Sequence, residues 1–189
     1  MEVAYFYPTC VWVEKLNFDT NELKNDLYKF KEQGLKIKRS NKKGEQYDNY
    51  INTSLSETII KTFPRVDTKK LKDPSVYMWV NINPKGASNT RHTHITYTRS
   101  LLLSGVYYVK VPENSGRIRF YDPRNISMLN PPDYEYYHDS VLYNFVQPQE
   151  DMILFFPSWF EHDVEVNQSN EERVSIGFNI FVEIEHINN

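Results

Sequence analysis

The sequence predicts a mainly β fold with N-terminal helices, a sandwich, barrel or jelly roll, and three observations carry that expectation. Apolar residues switch to a period of two near residue 75. The segments that follow are short and separated by Pro, Asn and Ser. The one strong helical pattern lies well before that switch. At 189 residues the chain is expected to be one domain, with 1–74 as a helical support region and 75–185 as the β core.

The strong helix is read from Asp19 to Gln33. Asp19 and Glu22 have capping-box spacing, Leu23, Leu27 and Phe30 share a face, and Gly34 suits a left-handed stop. A weaker helix is read at Ser54–Phe63, ended by Pro64. Between them Lys36–Lys43 (KIKRSNKK) holds five basic residues in eight, read as a solvated loop with an acidic-partner patch as the alternative. Strands are expected at Tyr77–Asn83, Leu101–Val111, Arg117–Tyr121, Val141–Val146, Met152–Phe156, Asp163–Val166 and Val174–Val182. Pro123–Asp139, rich in Pro and Tyr, is expected to loop over one rim. Val11–Val13 can pair either within the chain or across a homodimer.

Charge excludes some functions. With 22 Lys and Arg against 25 Asp and Glu, the net charge is −3, which speaks against a protein that coats nucleic acid. Apolar runs such as Ile153–Phe156 are far shorter than the roughly 18–20 residues that span a bilayer, so no membrane role is expected. One cysteine, Cys10, allows no internal disulfide, and no leader pattern opens the chain; a cytoplasmic location is expected.

Chemistry concentrates in few residues. His92 and His94 sit two apart, which on an extended strand points both imidazoles to one side. His162, 68 positions beyond His94, can join them on one ion only if the sheet folds back on itself. Three protein ligands on one face of an octahedron leave open positions, the arrangement of non-haem Fe(II) oxygenases. Arg173 and Ser175 again share a face, and a guanidinium beside a hydroxyl is shaped to hold a carboxylate. His138 and His186 are read as structural, and Trp79 as core.

Arg-His-Thr-His (Arg91–His94), Ser-Gly-Val-Tyr-Tyr (Ser104–Tyr108), Phe-Tyr-Asp-Pro-Arg (Phe120–Arg124), Phe-Pro-Ser-Trp-Phe-Glu-His (Phe156–His162) and Arg-Val-Ser-Ile-Gly-Phe-Asn (Arg173–Asn179), with Tyr7-Pro8-Thr9 upstream, resemble a family of phage and bacterial 2-oxoglutarate-Fe(II) oxygenases. The resemblance implies a double-stranded β-helix, a cupin-like jelly roll, that uses Fe(II), 2-oxoglutarate as cosubstrate and O2, and that hydroxylates an oxidisable small molecule or protein side chain. It also implies a salt bridge from Arg173 to the distal carboxylate of 2-oxoglutarate, support from Ser175, and a hydrogen bond from Tyr108. Were the gene a phage's, the location would be the host cytoplasm. Most relatives have His-x-Asp or His-x-Glu where this chain has His94. Three readings follow: a three-His site, replacement of His94 by Asp122, or two His with water. Two other functions stay open, a cupin-like metalloenzyme without 2-oxoglutarate and a non-catalytic jelly-roll binding module.

Overall fold

The computed structural model describes residues 9–64, 72–95, 101–123 and 143–183. Pro123–Asp139 beyond its first residue, Tyr7 and Pro8, His138 and His186 lie outside them. In chain order the elements are β1 (Trp12–Lys15), α1 (Thr20–Gln33), β2 (Leu35–Ile37), β3 (Asn41–Lys42), β4 (Glu45–Tyr50), α2 (Thr53–Thr62), β5 (Lys72–Asn83) and β6 (Ser88–His92), followed by β7 (Leu101–Lys110), β8 (Ile118–Tyr121), β9 (Tyr143–Val146), β10 (Met152–Phe156), β11 (His162–Val164) and β12 (Arg173–Glu183).

The helices start as their caps dictate. The Asp19 carboxylate accepts from the N–H groups of Asn21 and Glu22 at 2.9 and 3.1 Å, satisfying two orphan donors. Asn52 caps α2 through the N–H of Leu55, so that helix begins one residue earlier than its apolar pattern suggests. Gly34 is not left-handed: with φ −70° and ψ 148° it runs straight into β2, because the chain continues as a strand rather than turning.

Among the described residues, twelve strands form two antiparallel sheets. The larger has the order β1-β10-β7-β12-β5-β4-β2 and the smaller β3-β6-β11-β8-β9. β12 pairs with both β5 and β7 over most of its length, so it lies at the centre of the larger sheet. The support region thus holds strands as well as helices: β1, β2 and β4 extend the larger sheet and β3 the smaller. These were hidden because β2 to β4 are short and polar or charged: β2 and β3 overlap the basic run expected to be a loop, and β4 follows it. Two of that run's cations are neutralised, Lys36 by Glu45 at 2.6 Å and Arg39 by Asp48 at 3.3 Å. Val13 pairs with Leu154 inside the chain, so β1 finds its partner within the fold.

Alternation along the central strands sorts residues to two faces. One face packs Met78, Val80, Ile82, Tyr107, Ile176 and Phe178 against Leu23 and Leu27 of α1 and Leu55 and Ile59 of α2, all at most 2 % exposed. The other face looks toward the smaller sheet across Tyr108, Leu154, Phe156, Ile118, Phe120 and Phe160. Gly177 sits where a Cβ would come within 2.4 Å of the Trp79 indole, so only glycine leaves room for that ring.

Candidate metal centre

The site sits between the sheets, where β6 and β11 meet. His162 is directly opposite His92 in the ladder, which brings their ring centroids to 4.5 Å. His94 lies two residues past His92 and is held by its own N–H bonding to the carbonyl of Ser158 at 2.9 Å. Its ring is 4.9 Å from that of His162 and 5.2 Å from that of His92. The ligand atoms of the three residues all lie within 4.8 Å of one another. Among the described residues no other His, Cys, Asp or Glu forms such a group, and Asp122, just past β8, is not part of this one.

Each ring has one nitrogen already spoken for. His92 Nδ1 meets the Thr90 carbonyl at 2.6 Å and His162 Nδ1 the Phe160 carbonyl at 2.8 Å, in both cases two residues back. His94 Nδ1 instead meets Asn179 Oδ1 at 3.0 Å, and Ser104 donates to the same oxygen at 2.8 Å. An acceptor at every Nδ1 fixes the proton there and leaves the Nε2 lone pairs free. Nε2 of His92 and His94 are 3.3 Å apart, close to the ~3 Å between adjacent ligands of an ion bound at about 2.1 Å. Burial holds His92 below its ordinary value, lowers His94 to about 4 with help from the neighbouring His92, and pushes His162 down furthest. All three are therefore neutral, as metal ligands must be.

Beside the rings a narrow cavity runs inward past Trp79, Asn81, Tyr108 and Ser175 to Arg173. Arg173 is 2 % exposed. Its Nη1 donates to the carbonyls of Ser115 and Gly116 at 2.9 and 3.3 Å, and its Nε has no partner. Among the described residues no carboxylate pairs with it. Burial lowers its pKa, and Tyr108 is close enough to oppose that. A buried, uncompensated guanidinium is costly, and an anion delivered to this cavity relieves it. Tyr108 lies opposite Ser175 in the ladder, so both flank the position such an anion takes. Burial keeps the Tyr108 phenol protonated and thus a donor.

The sequence motifs therefore converge: His92, His94 and His162 come together, and Arg173, Ser175 and Tyr108 share one cavity with them. Asn179 and Ser104 were not read as site residues, although both fall inside the quoted motifs. Their signal was present in period: Asn179 is four residues past Ser175 and on the same face.

Three imidazoles with free Nε2 atoms, beside a cavity that ends in a buried cation, suit a metal ion with an anionic ligand next to it, and the fold around them is a double-stranded β-helix. Residues 77–179 match the family of 2OG-Fe(II) oxygenases, and the chain belongs to that family. It is an Fe(II)- and 2-oxoglutarate-dependent oxygenase that takes O2 as co-substrate. That decides between the three functions left open by the sequence. No curated protein matches the chain. Among solved structures, a prolyl-4-hydroxylase from Pseudomonas putida is similar at 15% identity with a TM-score of 0.60, over 94% of each chain. HygX from Streptomyces hygroscopicus, solved with nickel, 2-oxoglutarate and hygromycin B, is similar at 10% identity and a TM-score of 0.63, over 92% of this chain and 83% of that one. A prolyl hydroxylase from Trichoplax adhaerens in complex with a hypoxia inducible factor peptide is similar at 14% identity and a TM-score of 0.61, over 90% and 83%. At these identities the likeness is one of fold. No helix among the described residues is long and apolar enough to cross a membrane.

Proposed function

We propose that this oxygenase is a hydroxylase that holds Fe(II) on Nε2 of His92, His94 and His162 and seats the distal carboxylate of 2-oxoglutarate on Arg173, with Tyr108 and Ser175 beside it. The observation that carries the reading is the set of three Nδ1 atoms each bonded away from the centre, next to a buried guanidinium with no acidic partner. The prolyl hydroxylases that share the fold support hydroxylation as the reaction.

Bound there, iron supplies the coupling of oxidative decarboxylation of 2-oxoglutarate by O2, giving succinate and CO2, to oxidation of a C–H bond. The chain's own residues do the rest. Neutral imidazoles bring no negative charge to the metal, so the cosubstrate's carboxylate provides it. Arg173 fixes which end of 2-oxoglutarate points inward, its planar fork matching a carboxylate. Phe120 and Phe156, with ring centroids 5.8 and 4.7 Å from His162, keep water from that ligand. The primary substrate is an oxidisable small molecule or protein side chain that reaches the open side of the His cluster.

Purified protein with Fe(II) and ascorbate is expected to convert 2-oxoglutarate to succinate slowly without added substrate. His162→Ala should abolish this, as measured by succinate release. A mutant equal to the wild type would show that the iron lies elsewhere.

A further inference from the structure

Outside the inner cavity, on the open side of His92 and His94, lies a cleft of about 640 Å3, within the size range of small-molecule sites. Tyr77 and Trp79 form one wall, and Gln46 of β4 borders the cleft as well. Among the residues that line it there is no carboxylate, and its one charged side chain, Arg39, already donates to Asp48.

Gln46 ends a row of polar residues that crosses the larger sheet. Tyr108 lies opposite Ser175, Ser175 opposite Asn81, and Asn81 opposite Gln46. All four are at most 7 % exposed. Among the described residues no side-chain hydrogen bond joins any two of them, and the side-chain oxygens of Asn81 and Gln46 find no donor. Three strand spacings of about 4.8 Å make the row roughly 14 Å long. The first three members border the inner cavity together with Arg173, whereas Gln46 borders only the cleft. 2-Oxoglutarate anchored on Arg173 with its other end toward the His cluster occupies the inner cavity, whose lining includes Arg173 and all three His but not Gln46. Its amide is therefore left for the other reactant.

A buried polar atom without a partner is expensive, and the fold keeps one here. A carboxamide offers a donor and an acceptor side by side, and the group that satisfies both at once is a second amide. From this we infer that the cleft receives the primary substrate, that the substrate presents an amide group to Gln46, and that this pairing decides which of its carbons faces the His cluster. Tyr77 and Trp79 supply apolar rings for the body of the molecule. The inference rests on the iron and 2-oxoglutarate assignment above.

The test is calorimetry of the anaerobic protein with Fe(II) and 2-oxoglutarate, where binding occurs without turnover. The probes are the N-acetyl-N′-methylamides of the twenty amino acids. At least one should bind, and Gln46→Met, similar in shape but without the amide, should weaken it about tenfold or more. In the unmutated protein the side-chain NH2 resonances of Gln46 should shift when that probe is added, a readout that needs no variant to fold. If none of the panel binds, or if Gln46→Met binds as tightly and those resonances stay still, the inference is overturned. Because the readout is binding, its failure is separate from failure of the uncoupled 2-oxoglutarate turnover that tests the function itself.

Discussion

The two faces of the larger sheet are made by the same strands and differ in what they bury. Toward the helices, Met78, Val80, Ile82, Ile176 and Phe178 pack against Leu23, Leu27, Leu55 and Ile59, all of them buried apolar groups. Toward the smaller sheet, the intervening residues Asn81, Arg173, Ser175 and Asn179 are polar, and three of the five buried polar atoms left without partners among the described residues, on Gln46, Asn81 and Arg173, lie there. The first face stores stability. The second gives some of it up and holds groups that only ligands complete.

If that division is right, one substitution on each face should separate binding from stability. Arg173→Met should weaken 2-oxoglutarate binding at least about 100-fold, because the carboxylate loses its charge-assisted partner. The ligand-free protein should nonetheless melt within about 1 kcal/mol of the wild type or above it, since a buried charge without an acidic partner has been replaced by an apolar side chain of similar length. Leu55→Ala, at a position 0 % exposed beneath α2, should do the reverse: it should cost about 2–5 kcal/mol in denaturant unfolding while succinate release per folded molecule stays the same. Equal stability losses in both variants would erase the distinction between the faces.

The pH dependence of the metal-free protein sharpens the same contrast. Burial lowers the folded pKa of His94 to about 4, with His92 and His162 also lowered, whereas the unfolded chain takes up those protons near 6.5. Because the folded values lie below the unfolded ones, folding is fully stable above about 6.5 and loses free energy as pH falls toward 4. For His94 alone the loss is on the order of 2–3 kcal/mol. Urea midpoints measured between pH 7 and pH 4 should show this slope, and His94→Gln should make it shallower without removing it, because His92 and His162 still contribute.

Much of this was legible in the sequence because the signals were periodic. The i, i+2 spacing of His92 and His94, and of Arg173 and Ser175, fixed their faces before any register was known. His162 was less direct, since nothing local says that it pairs with His92; only the need of a folded-back sheet did. What could not be read were β2 to β4, whose short polar or charged segments carry no apolar alternation and owe their strand state to pairing, β2 with β4, β3 with β6 and β4 with β5. Gln46 was therefore invisible, a polar residue on a strand that itself went unseen. Asp122, the alternative third ligand, follows β8 and is not in the group of three His, while its neighbour Tyr121 donates its hydroxyl to Asp163 at 2.7 Å.

The smallest effect is expected one step back from the proposed ligands. His92 and His162 take their Nδ1 partners from their own backbone, but His94, past the end of β6, depends on a side chain from β12. Ser104 pins the Asn179 oxygen from the far side, so the amide cannot present its nitrogen to the ring. Asn179→Leu removes the acceptor and should lower metal affinity about 10–100-fold by competition with a chelating dye. Asn179→Asp keeps an acceptor at the same reach and should restore most of that affinity. The 15N shifts of His94 separate positioning from mere packing: in the Leu variant the proton should distribute over both ring nitrogens, whereas in the wild type and the Asp variant it should stay on Nδ1.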